Sequence, residues 1–147
     1  MKTNLITIAA AALLLAAPAY AAGDAAKGEA TFKQCQACHA VIDDTGAVLA
    51  GKGKTGPNLY GVFGRQAGTY PDFKYGESII AGGAAGVIWN EVEFVAYIQD
   101  PNKYWQEKLA DKKAKSKMVF KLKNAEAAAD LYAYLSQFSP AAPAAAQ

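Results

Sequence analysis

The chain predicts an all-α fold with substantial loop. Three observations carry that expectation. Helix-start signals recur along the chain, at Asp24, Asn90, Pro101 and Asn124. No run shows the sustained alternation of a half-buried strand. The stretches between the helical patterns are long and rich in Gly, Lys, Asp and Thr.

The elements follow in order. Asp24 is a natural N-cap, and a helix from about Ala25 would run into Cys35. Gly28 and Phe32, four residues apart, share one face of it. From Asp43 to Gly64 the composition favours loop. A short helix fits Gly76 to Gly82. Asn90 can cap the next, with Glu93 three residues on, close to a capping box. That helix should stop before Asp100-Pro101, because the residue before proline avoids the α region. Pro101 can open a further helix through about Leu109. Asn124 can cap the last, where Leu131, Leu135 and Phe138 repeat at i, i+4 and i+7. Pro140 closes it. Loops this long argue against a compact domain unless they have something to wrap.

The two ends read differently from the middle. Lys2 precedes a 13-residue apolar run, Leu5 to Ala17, then Pro18 and Ala19-Tyr20-Ala21. A basic start, a short apolar stretch and an A-x-A site describe a secretory signal peptide over residues 1–21. The run falls short of the roughly 20 residues of a membrane span, although an uncleaved anchor is the alternative. Removing 21 of 147 residues leaves 126, one domain's worth. That domain should cover 22–138. Residues 139–147, Ser-Pro-Ala-Ala-Pro-Ala-Ala-Ala-Gln, carry no charge and no large apolar side chain and read as a flexible tail.

Something for the loops to wrap is written at Cys35-Gln36-Ala37-Cys38-His39. This segment holds both cysteines and the only histidine. C-x-x-C-H reads as a c-type haem attachment site. Two thiols on one helical turn can each add to one vinyl group, and the histidine that follows can ligate the iron. A thioredoxin-like C-x-x-C would expect a βαβ setting. A structural zinc site needs four protein ligands, and no second cluster completes one. A plain disulfide would leave His39 without a role. Haem c, one per chain and covalently bound, accounts for all three residues.

Counting suggests the second axial ligand. Beyond the leader the chain has no other histidine and one methionine, Met118, in the basic stretch Lys115-Ser116-Lys117-Met118-Val119-Phe120. A methionine in a helical stripe would be core filler, but this stretch shows no clear helical period. His/Met ligation suits an electron-transfer haem and leaves no open position for oxygen or peroxide chemistry. A small haem peroxidase is the enzymatic alternative, and it would need that position open.

Four motifs then stand in order: Cys35-Gln-Ala-Cys-His39, Lys54-Thr-Gly-Pro-Asn-Leu-Tyr-Gly-Val-Phe-Gly-Arg65, Lys117-Met-Val-Phe120 and Asp130-Leu-Tyr-Ala-Tyr-Leu135. Together they resemble the class I cytochromes c, and more narrowly the large cytochromes c2 and c550 of α-proteobacteria, over about Gly23 to Phe138. The resemblance implies the class I fold, about five helices and long loops wrapped around one haem. It implies that Pro57 offers its carbonyl to His39 and that Arg65 lies near a buried propionate. Tyr75 and Trp89 become donors to the propionates, and Tyr97 a neighbour of the Met118 sulfur. Gly28 and Phe32 should cross Leu131 and Tyr134. Ser116 stands where the family often has threonine, which leaves the role of its hydroxyl open.

Charge points to a docking face. Residues 103–123 hold eight lysines against Glu107 and Asp111, while 22–102 carry six basic and nine acidic groups. Positive charge therefore gathers around Met118, and Lys103, Lys115, Lys117, Lys121 and Lys123 are candidates for contact with an acidic partner. The alternative is an ordinary solvated lysine-rich loop. The resulting expectation is a soluble, monomeric periplasmic electron carrier, not an enzyme and not membrane-anchored. It would take one electron from a cytochrome bc1-type complex and pass it to a photosynthetic reaction centre or a terminal oxidase. Nucleic acid is not an expected partner.

Overall fold

A computed structural model describes residues 23–139. The expected leader, and all of the expected tail except Ser139, lie outside the described residues.

Helix α1 (Ala25–Phe32) begins where Asp24 Oδ1 accepts the backbone N–H groups of Ala26 and Lys27. Such a cap contributes about 1 kcal/mol. The helix ends at Phe32, not at Cys35. Cys35 N–H bonds Phe32 O at 2.8 Å, and a separate turn carries the chain through the C-x-x-C-H segment. Its closing bond is His39 N–H to Cys35 O at 2.9 Å.

The expected loop after Asp43 is partly a β-hairpin. Strands β1 (Ala40–Ile42) and β2 (Val48–Gly51) pair antiparallel, with an irregularity between Val41 and Ile42. Asp43 shapes the turn, its Oδ1 accepting from Thr45 N, Thr45 Oγ1 and Ala47 N. Local composition concealed these strands because a side chain 16 residues away holds them. Asn58 accepts from Ile42 N at 2.9 Å and donates to Ile42 O at 2.7 Å.

Helix α2 (Glu77–Ala84) starts one residue after Gly76, which caps it without a side chain. Helix α3 (Glu91–Gln99) is capped by Asn90, whose side chain accepts from Glu93 N. Helix α4 (Pro101–Lys108) has Pro101 in its first turn, where a missing N–H does no harm. Helix α5 (Ala125–Ser136) is capped by Asn124 through Ala127 N. These are five helices among the described residues, as the class I expectation requires.

The frame of the fold is the crossing of α1 on α5. A Cβ on Gly28 would sit 2.0 Å from Asp130 O and 2.7 Å from Tyr134 Cβ, so only glycine allows the approach. Phe32 fills the space beside it, with its ring centroid 5.5 Å from that of Tyr134. Both Phe32 and Leu131 are fully buried or nearly so. The crossing fixes where Cys35–His39 emerges, and α3 also packs against α5.

Candidate haem site

Between this frame and the loops lies a cavity of about 530 Å3. Cys35, Cys38 and His39 form one wall, and Met118 belongs to the lining as well. Pro57, Arg65, Tyr75, Trp89 and Tyr97 complete the set read from the sequence. Every one of those nine side chains reaches the same space, although they span 84 positions from first to last. Leu59, Val62, Ile79, Phe94, Leu131 and Leu135 make the rest of the wall largely apolar.

The histidine side is held by backbone. His39 Nδ1 donates to Pro57 O at 2.8 Å. A carbonyl can only accept, so the proton is on Nδ1 and Nε2 keeps its lone pair. Burial pushes the His39 pKa down, and the Pro57 bond only partly opposes that. The ring is therefore a neutral imidazole, the form that ligates a metal. Gly56 makes the close packing possible. A Cβ there would lie 2.4 Å from His39 Cε1 and 2.6 Å from Nδ1. Gly53 presses on the backbone of Cys38 and His39 in the same way, with Cys38 C at 2.3 Å from a notional Cβ.

Both cysteines are free thiols. Burial, reinforced by the nearby Cys38, pushes the Cys35 pKa up to about 11. A redox-active C-x-x-C does the opposite, lowering one thiol to make a nucleophile. Cys35 is thus not the activated nucleophile that disulfide exchange needs.

The methionine side is held by side chains. Met118 is half-buried and packs against the core. Ser116 Oγ accepts its N–H at 3.1 Å, and the same oxygen lies 3.0 Å from the Tyr97 hydroxyl. The open question about Ser116 is thereby answered: the serine hydroxyl links Tyr97 to the Met118 backbone. Lys117 Nζ donates to Lys74 O at 2.9 Å, and its aliphatic chain lies over Gly76. Lys115 N–H donates to Ser78 Oγ at 3.0 Å.

Arg65 is half-buried and has no carboxylate partner among the described residues. Its guanidinium donates to Tyr60 O and Asn58 O, both at 3.2 Å, and lies over the Tyr70 ring. Burial lowers its pKa against the pull of Tyr75 and Tyr70. A half-buried cation that meets only carbonyls and a tyrosine ring, and no carboxylate, can take an anion from the cavity side. Two thiols, a neutral imidazole, a thioether and this cation around an apolar cavity match the needs of a covalently held haem.

The candidate docking lysines are spread differently. Lys115 and Lys117 line the cavity mouth, whereas Lys103, Lys121 and Lys123 do not. Lys103 pairs with Glu107 at 3.6 Å and Lys121 with Asp100 at 2.7 Å. Lys115 and Lys123 are exposed and make no ion pair among the described residues. Sequence reasoning passed over Gly53, Gly56 and the Asn58 side chain. The last two stand inside the Thr-Gly-Pro-Asn motif, so their signal was present.

Fold and site together define a small mono-haem cytochrome of the class I type. No family model matches the chain. Individual relatives do. Cytochrome c2 of Rhodobacter capsulatus is 53% identical over 136 residues, spanning 92% of this chain and 97% of that protein. Cytochrome c-550 of Paracoccus versutus is 47% identical over 137 residues, spanning 91% and 88%. The solved cytochrome c2 of Rhodobacter sphaeroides superposes with a TM-score of 0.78 at 52% identity, covering 80% of this chain and 97% of that one. The chain belongs to the cytochrome c2/c-550 family of class I cytochromes c. It is accordingly a haem c protein and an electron carrier, not an enzyme. No helix among the described residues is long and apolar enough to cross a membrane.

Proposed function

We propose that this chain is a periplasmic electron shuttle whose haem is held by thioethers from Cys35 and Cys38 and ligated by His39 and Met118. One observation carries the reading. The neutral His39 imidazole and the Met118 side chain line one apolar cavity whose wall also holds both free thiols. The bound haem supplies one-electron chemistry at its iron. The chain does the rest. Pro57 fixes the ring of His39 and raises its basicity through Nδ1. Ser116 and Lys117 hold the Met118 segment against the cavity. Arg65, with Tyr75 and Trp89, offers hydrogen-bond donors to the propionates. The apolar lining would keep water from the bound haem, and ligation by both His39 and Met118 would leave its iron no position for a substrate.

Donor and acceptor belong to the same proposal: a cytochrome bc1-type complex gives the electron, and a reaction centre or terminal oxidase takes it. The support is the distribution of charge. Val119, next to Met118, is 85% exposed. In sequence it is flanked by Lys115, Lys117, Lys121 and Lys123, with Lys103 earlier on the same basic stretch. An exposed apolar side chain on a lysine-rich stretch suits transient docking on an acidic surface. The test is the second-order rate of reduction by an isolated bc1-type complex, and of oxidation by reaction centres or oxidase, across ionic strength. Fast rates that fall with salt are expected, because the Debye length shrinks from about 10 Å at 0.1 M to about 3 Å at 1 M. Lys115→Glu and Lys123→Glu should slow encounter more than Lys27→Glu. Equal effects at all three, or a salt-independent rate, would move the docking face elsewhere.

A further inference from the structure

The segment that leads into Met118 answers its backbone groups with side chains. Ala114 N–H closes a turn on Asp111 O at 3.0 Å. From there the N–H groups of Lys115, Ser116 and Met118 each go to a side-chain oxygen. These are Ser78 Oγ at 3.0 Å, Asn102 Oδ1 at 2.8 Å and Ser116 Oγ at 3.1 Å. Backbone donors without a ladder need partners from elsewhere. Here two of the three are met from outside the segment, one by α2 and one by α4.

Helix α4 supplies a second bond of opposite sense. Gln106 Nε2 donates to Ala114 O at 3.3 Å. The partners fix both amide orientations, since a backbone N–H needs the Asn102 oxygen and a carbonyl needs the Gln106 nitrogen. Asn102 and Gln106 are four residues apart, so they share one face of α4, about 6 Å apart along its axis. Their partners are two residues apart and run in reverse order, which lays 114–116 antiparallel to the helix. The far flank of Met118 is held at the α3–α4 corner, where Lys121 Nζ donates to Asp100 Oδ2 at 2.7 Å and Leu122 N–H to Ile98 O at 2.9 Å. That flank has a backbone bond. The near flank depends on two amide side chains, Asn102 exposed and Gln106 half-buried.

We infer that Asn102 and Gln106 are positioning residues, a clamp on α4 that holds residues 114–116 in place and thereby governs how readily Met118 leaves the iron. Ser116 carries the clamp to the ligand. Asn102 fixes its backbone, and its Oγ then stands against Met118 N–H. Opening the methionine side requires the near flank to come off α4, and the exposed Asn102 bond is the one that water can replace most easily. The inference rests on the reading of Met118 as axial ligand, since only then does the clamp act on the iron.

Asn102→Leu keeps the volume of the side chain and removes the acceptor. On the haem-loaded ferric protein, exchange of Met118 for added imidazole should quicken about two- to tenfold, the factor that one hydrogen bond carries. The Ser116 amide should lose protection in hydrogen exchange. Asn102→Asp keeps an oxygen for Ser116 N–H and should restore both. Gln106→Met should quicken imidazole exchange in the same way, and it carries the test if Asn102→Leu does not fold. Asp24→Ala removes the α1 cap and lowers overall stability without touching the clamp, so its imidazole exchange should keep the wild-type rate. An unchanged rate in Asn102→Leu and Gln106→Met would overturn the inference, as would an equal rise in Asn102→Asp or in Asp24→Ala. An unchanged potential in Met118→Ala would sink the ligand reading instead, while protection of the Ser116 amide still reports on the clamp.

Discussion

The two walls of the cavity are built by different means. On the histidine side the chain is clamped by backbone. Gly53 and Gly56 bring main chain against Cys38 and His39, and the Pro57 carbonyl takes the imidazole proton. On the methionine side, the segment between α4 and α5 is held mainly by side chains: Ser116 on Met118 N, Lys117 on Lys74 O, Lys121 on Asp100. Backbone clamps of glycine cannot relax without moving a whole loop. Exposed side-chain bonds open singly and cheaply. The histidine side is therefore the fixed reference of the site, and the methionine side is the part that can yield.

The largest expected effect is on the fixed wall. Gly56→Val puts carbon where the His39 ring stands, and the ring cannot retreat without giving up Pro57. Little mature haem protein should accumulate, as with His39→Ala. Covalent haem per milligram of purified protein checks both. A normal yield of Gly56→Val with an unaltered spectrum would break the comparison at its stronger end.

How much of this was legible follows the same division. Cys35–His39, the Asn90 and Asn124 caps and the Gly28–Phe32 face are local patterns, and each appears where the residues indicate. Glu93 follows Asn90 by three, but only the Asn90 side chain is seen to bond in that box. The hairpin was hidden because Asn58, not strand propensity, pins Ile42. Helix α1 was read too long, since the i to i+4 bond of the Cys35–His39 turn mimics helix without continuing it. Two of the lysine pairings were illegible for a related reason: Asp100 and Glu93 lie 21 and 15 positions from Lys121 and Lys108, whereas Lys103–Glu107 is a local i, i+4 pair. Asn102 and Gln106 carried no pattern at all, and their hold on residues 114–116 exists only once that segment folds back along α4.

On the yielding wall, Ser116→Ala removes the acceptor of Met118 N–H and the partner of Tyr97. Exchange of methionine for added imidazole on the ferric protein should quicken several-fold, with stability lowered by about 1 kcal/mol. Stopped-flow binding and a thermal melt read the two effects. Ser116→Thr should restore both.

Acid should act through the base of that wall. Glu93 holds α3 to α4 by accepting from Tyr104 and Lys108. Burial raises its pKa, but those two bonds outweigh it and leave the group below its ordinary 4.5. A carboxylate with a lowered pKa in the folded state stabilises above the unfolded value and loses that contribution as pH falls through the folded one. Melting temperature should therefore drop below about pH 4.5, and Glu93→Gln should flatten that part of the profile. The effect is modest, because the partner Lys108 is 38% exposed and solvent screens the pair.

The smallest effect is a gain. Ala110, just after α4, sits at φ 50, a left-handed conformation that costs an alanine about 1 kcal/mol. Ala110→Gly should raise stability by about that amount by denaturant titration, without changing the potential.

Ligation by a fixed His39 and a yielding Met118 is tested most directly by comparing ferric and ferrous spectra and midpoint potentials of the wild type and Met118→Ala, with and without imidazole or carbon monoxide. The wild type should be low-spin and closed to both ligands. Met118→Ala should keep its covalent haem, bind both ligands and show a clearly lower potential. A variant with unchanged potential that admits neither ligand would show that the sixth position belongs to another residue and contradict the account.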